Sequence, residues 1–176
     1  LLKNGLKVVD ISADFRLKDP SEYEEWYGVA HPRPSLLEDA VYGLTELYRD
    51  GIRRSTLVAN PGCYSTAAIL ALAPAVKEGL IHEDIIVDAK SGVSGAGRGL
   101  SLTSHFSEVN ENVMAYSVDG HRHLPEITQE LSKLISAAPA PASRGISRKP
   151  TEGIGDDGGN ALALTFLTHL VPITRG

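Results

Sequence analysis

Apolar and polar positions along this chain alternate between two rhythms. The stretch LKVVDIS (residues 6–12) has a β-branched centre bounded by Gly5 and polar residues, which predicts a short buried strand. DPSEYEEWYG follows, with Asp19 as candidate N-cap, Pro20 at the first helical position and Gly28 as stop, and predicts a short helix. STLVAN (55–60) predicts a second buried strand. YSTAAILALAPAVKEG (64–79) is rich in Ala and Leu at a period near 3.6, which predicts a helix ending in Lys77 and a Gly79 cap. Pro74 is expected to kink or loosen its last turn. DIIVDAK (84–90) predicts a third strand running into the glycine-rich SGVSGAGRG. LPEITQELSKLISA (124–137), with Pro125 near its first turn, predicts an amphipathic helix with Ile127, Leu131, Leu134 and Ile135 on one face. Residues 138–160 turn to Pro, Ala, Ser, Arg, Gly and Asp without periodicity and read as a flexible insertion. ALALTFL (161–167) resumes as a strand. The alternation implies a mixed α/β fold without internal repeats.

Composition narrows the class. At 42% hydrophobic and 22% charged, the 176 residues are ordinary globular material, enough for one domain or one domain and part of another. No apolar run is long enough to cross a bilayer, so no membrane partner is expected. The formal charge of −5, with no Lys/Arg cluster, argues against nucleic acid. A single cysteine, Cys63, cannot form an internal disulfide and fits a reducing cytoplasm. The chain opens on Leu1 and its one methionine is Met114, so it reads as a segment of a longer polypeptide.

Cys63 lies in ANPGCYSTA, between a predicted strand end and a predicted helix start. A lone cysteine is by default a small buried hydrophobe. At a helix N-terminus, unpaired amides and the macrodipole favour the thiolate, and a strand-to-helix elbow presents the side chain at a sheet rim. The position therefore suits a nucleophile. DGHRHLPEI supplies His121 and His123 as proton-handling partners, with Arg122 between them as a cation for carboxylate or phosphate. As an H-x-H element the pair lacks further ligands at sensible spacing apart from Cys63, so no metal is expected. KSGVSGAGRG (90–99), closed by Arg98, reads either as a nest of backbone amides for phosphate or as a flexible turn. Gly95, Gly97 and Gly99 do not complete G-x-G-x-x-G, because Leu100 takes its last position.

Taken together, VVDISADFRL, VYGLTEL, ANPGCYSTA, LALAP, VDAKSGVSGAGR, FSEVNENVMAYSV, GHRHLPEI and HLVPITRG resemble the aspartate-semialdehyde-dehydrogenase-like family, in its arginine-pathway branch of N-acetyl-γ-glutamyl-phosphate reductases. These motifs span nearly the whole chain apart from 138–160. The resemblance implies NADPH-dependent reduction of an acyl phosphate to the semialdehyde with phosphate release. Carried over, Cys63 is the nucleophile that forms a thioester, and His121 is the acid/base, with His123 second in line. Asn60, Ser91, Gly92, Val93, Ser94 and Gly95 would line the cofactor and phosphate region. Glu108, Arg122, His123 and Arg98 are weaker candidates for holding substrate. Residues 1–62 would form the second half of a Rossmann-type NADP-binding domain, and 63–176 an α+β catalytic and dimerisation domain. A homo-oligomer is implied. The family's glycine-rich first turn is absent, so this segment alone is expected to be inactive and to bind NADPH weakly. Ser65 and Thr168 stand where the family often has proline. Rival readings are a lysine-pathway relative acting on a homologous aminoadipyl phosphate, a Cys-His hydrolase or acyltransferase without nicotinamide, and a non-catalytic fragment.

Overall fold

In the computed structural model, residues 1–81, 84–137 and 163–174 are described. The expected flexible insertion at 138–160 lies outside them, as do Ala161 and Leu162. The chain is α/β, built on two three-stranded sheets. The first holds β1 (Val8–Asp10), β2 (Val41–Tyr42) and β3 (Leu57–Ala59) in the order β1-β3-β2, all parallel. Its register pairs Asp10 and Tyr42 with Ala59 from either side. The second holds β4 (Ile85–Gly92), β5 (Met114–Tyr116) and β6 (Leu164–Val171), with β6 central, parallel to β4 and antiparallel to β5.

Helices fill the space between. α1 (Ser21–Tyr27) starts where Asp19 Oδ1 accepts the Ser21 amide at 2.8 Å and stops at Gly28, φ 68°, as the capping residues predict. α2 (Ser35–Asp39) and α3 (Thr45–Arg54) flank β2. α4 (Cys63–Lys77) runs through Pro74, and Gly79 at φ 64° lets the chain turn away. α5 (Phe106–Val109) is a single turn, and α6 (Leu124–Ala137) follows the predicted bounds.

Burial follows the periodicity. Ala68, Ile69, Ala73 and Val76 of α4 pack with Ile127, Leu131 and Leu134 of α6, and both helices meet Ile85 and Phe166 of the second sheet. Tyr42 of β2 and Leu44, the N-cap of α3, join the same core. A smaller cluster of Leu17, Tyr23 and Leu37 closes the other end. β4 extends through Ser91 and Gly92, and Val93–Ala96 then form a 3-10 turn. The Val93 amide donates to Ile173 at 2.9 Å and the Ser94 amide to Thr174 at 3.3 Å, so the turn is fastened to the chain beyond β6. Those two amides are spent on structure and do not form an open nest.

Candidate active site

The turn that delivers Cys63 begins where β3 ends. The Asn60 amide donates to Asp10 at 2.8 Å, which aligns the turn with the end of β1. Gly62 is the N-cap of α4, and its carbonyl accepts both the amide and the hydroxyl of Thr66, each at 2.9 Å. Cys63 is the first helical residue, exposed, where the opening amides of a helix have no partner within it. It lines a cleft of about 420 Å³ with Ile11, Ser12, Asn60, Arg122 and His123. The cleft lies beyond the carboxyl ends of β1 and β3, the edge at which parallel α/β sheets take their ligands.

The elbow is held from below by groups that polarity alone would place outside. Glu126 is 1% exposed, and its Oε1 accepts the Gly62 amide at 2.9 Å and the Tyr42 hydroxyl at 2.6 Å. Arg16 brings Nη1 to 3.6 Å from the other carboxylate oxygen and donates from Nε to the Asn60 carbonyl at 2.7 Å. The His123 imidazole closes on Gly62 so tightly that an added Cβ would lie 2.6 Å from its Cε1 and Nε2. Only glycine fits there.

The two histidines differ in position. His123 shares the Cys63 cleft. His121 lines a neighbouring cleft of about 630 Å³ with Gly95, Ala96, Tyr116 and Arg122, so Arg122 is the residue common to both. His121 Nδ1 accepts the His123 amide at 3.1 Å, which leaves Nε2 to carry the proton of the neutral ring. Its ring stands edge-on to Tyr64 and Phe166, with centroids 5.4 and 5.7 Å away. Burial, then the charge of neighbouring cations, lowers both imidazoles to about 4, so each is uncharged at neutral pH. For His123 those cations are Arg16 and Arg122.

Asn60, Cys63, Arg122 and His123 are thus brought together, with His121 and Gly95 next door. Ser91 and Gly92 are buried at the end of β4. Val93, Ser94 and Arg98 line a separate, more apolar pocket of about 540 Å³ beside Phe106 and Ile173. Glu108 is exposed on α5, and neither it nor Arg98 reaches the cysteine cleft. Among the described residues no group of three or more His, Cys, Asp or Glu side chains is placed to hold a metal ion. No helix among them is long and apolar enough to cross a membrane. Sequence reasoning missed Arg16, Tyr42 and Glu126. The available signal was in α6, where Glu126 and Glu130 recur four apart, each directly before a core residue.

Comparison with known proteins adds ancestry to this geometry. Residues 63–149 match the semialdehyde dehydrogenase dimerisation domain. Over 176 residues the chain is 51% identical to an N-acetyl-gamma-glutamyl-phosphate reductase of Dehalococcoides mccartyi strain CBDB1, covering 100% of this chain and 45% of the relative. Its identity to the reductase of that name from Pelotomaculum thermopropionicum is 53% over 175 residues, 99% of this chain and 44% of the relative. For that of Geobacillus stearothermophilus it is 52% over 177 residues, 100% and 45%. The chain therefore spans just under half the length of the curated relatives it matches.

Proposed function

From a chain that belongs to the semialdehyde dehydrogenase family, we propose the cysteine-bearing segment of an N-acetyl-γ-glutamyl-phosphate reductase, which converts the acyl phosphate to its semialdehyde in arginine biosynthesis. The observation that carries this reading is an exposed thiol at a helix start, in one cleft with an uncharged imidazole and an arginine. In the proposed reaction Cys63 Sγ bonds to the acyl carbon, the bond from that carbon to the phosphate oxygen breaks, and phosphate leaves with the electron pair. A thioester on Cys63 results. His123 takes the thiol proton, because it shares the cleft with Cys63; the alternative assignment to His121 is decided by the experiment below. Arg122, which lines both clefts, holds the anion.

NADPH, when bound, supplies the hydride that reduces the thioester. The cleft that would border its reactive end has polar lining at the strand edge beside Cys63: Asn60, and Ser12 held to the Asp10 carboxylate. Gly95 and Ala96 border the adjoining cleft. On this reading residues 1–62 belong to the nucleotide-binding domain and 63–176 to the catalytic domain, and the protein is a homo-oligomer built through the latter.

The test is phosphate- and NADP-dependent oxidation of N-acetylglutamate semialdehyde by the native polypeptide. Cys63→Ser is expected to abolish turnover, and His123→Asn to lower kcat about 100-fold or more, with a smaller effect from His121→Asn. Full activity in Cys63→Ser overturns the reading, and a larger loss in His121→Asn moves the acid/base role to His121.

A further inference from the structure

Two tyrosines of the first 62 residues donate to two buried glutamates of α6, and the two pairs are not equivalent. Tyr48, in α3, donates to Glu130 Oε2. Glu130 is also held through Oε1 by Gln129 Nε2 at 2.7 Å and Lys133 Nζ at 2.6 Å. This carboxylate has three donors, none of them Gly62 or another residue of the turn before Cys63. Glu126 has two hydrogen bonds, both on Oε1, from Tyr42 and from Gly62. Among the described residues its second oxygen has only Arg16 Nη1 at 3.6 Å, beyond ordinary hydrogen-bond reach. The Tyr42 hydroxyl is thus one of two bonds fixing a carboxylate that is 1% exposed, and the other bond is to the residue before Cys63.

The backbone completes the connection. Tyr42 pairs with Ala59 in the sheet, and the Gly43 amide donates to the Ala59 carbonyl at 2.8 Å. Tyr42 is therefore bolted to the strand that runs into the elbow, while its side chain, 5% exposed for the residue as a whole, reaches across to α6. Glu126 lies one helical turn after His123, whose ring packs on Gly62. We infer that Tyr42 is a positioning residue for the nucleophile: by fixing Glu126 it holds the Gly62 amide and so sets Cys63 against His123. The inference rests on the proposed role of Cys63. Without the phenolic hydroxyl, the bond from the Gly62 amide is the one full hydrogen bond left to the carboxylate, which is then free to swing toward Arg16 and loosen its hold on that buried amide.

The experiment compares Tyr42→Phe with Tyr48→Phe in the native protein, because each removes one buried tyrosine–glutamate bond and keeps its ring, while only the first acts on the carboxylate that holds the Gly62 amide. Two quantities are read: the second-order rate of Cys63 alkylation by iodoacetamide, and kcat with KM for the proposed oxidation. Tyr42→Phe is expected to slow alkylation about fivefold and to lower kcat about tenfold with KM within about twofold, as misplacement of a reacting group requires. Tyr48→Phe is expected to leave both within about twofold while lowering the melting temperature. Equal effects of the two variants, or a Tyr42→Phe protein that loses only thermal stability, overturn the inference. Should the native protein turn over no acyl phosphate, the reductase reading falls, and the alkylation rates alone still decide whether Tyr42 governs the cysteine.

Discussion

Replacing Gly62 by alanine isolates the steric fit at the elbow. Gly62 has φ −69° and ψ 157°, a conformation open to any residue, so the backbone accepts the change without strain. The new Cβ would lie 2.6 Å from His123 Cε1 and Nε2 and 3.1 Å from Arg16 Nη1. Ordinary contact begins at 3.4 Å, so the imidazole must retreat by about 0.8 Å. A ring wedged among neighbours cannot do this freely, and overpacking of this kind costs about 1–3 kcal/mol. Reduced chain entropy in the unfolded state returns about 0.4–1 kcal/mol, leaving a net loss of up to about 2.5 kcal/mol. The same displacement moves His123 away from its place beside Cys63, and a shift near 1 Å is enough to cost about 100-fold in rate. Urea unfolding and kcat measure the two effects. The decisive arm adds His123→Ala. With the ring removed, Gly62→Ala has nothing to strike on that side, so the double variant should be at least about 0.5 kcal/mol more stable than the sum of the singles predicts. Additive losses would refute the steric account.

Two further changes test the surroundings. His121 and His123 bind protons near pH 4 in the folded state and near 6.5 when unfolded, so their stabilisation is present above pH 6.5 and is lost as pH falls toward 4. Between pH 7.5 and 5 each imidazole should remove about 2 kcal/mol, and urea midpoints of His121→Asn should fall less steeply with pH than those of the parent. Lys18 Nζ donates to the carbonyls of Leu37 at 2.5 Å, Glu38 at 3.3 Å and Ala40 at 2.6 Å, so Lys18→Met strands the end of α2 and should cost about 2–3 kcal/mol in urea unfolding, with an unchanged midpoint counting against it.

The elements legible in the sequence are those whose own residues specify them. The β-branched centres of β1 and β3, the Asp19 and Gly28 caps of α1, and the apolar stripe of α6 each carry their signal locally. β2 is two residues long and exists because β3 pairs with it, which no local window shows. α3 escapes because TELYRDGIRR is polar, carries Gly51 and is kinked at Tyr48. β6 was expected to stop at Leu167 but runs to Val171, since β4 and β5 both bond to its later residues. At the site, Cys63 is legible because Pro-Gly before a helical pattern fixes where it lies. Arg16 and Glu126 are not, because a charged residue reads as surface until a partner far along the chain is known; here the separation is 110 residues.

The arginines of the cleft have two consequences that pull together. The chain as a whole carries a net charge of −5, which would repel an anionic substrate, yet Arg16 and Arg122 both line the cleft of Cys63. The same two cations, after burial, are what hold His123 well below its ordinary value, so the ring stays an unprotonated acceptor throughout the neutral range. A phosphate-bearing ligand that settles between them offsets their charge, and with it one cause of the depressed basicity. His123 is then a stronger base with the anion in the cleft than without it, because the anion offsets the two cations that oppose protonation of the ring. On the proposed reaction, the thiol therefore gives up its proton most readily when there is an acyl phosphate for the thiolate to attack.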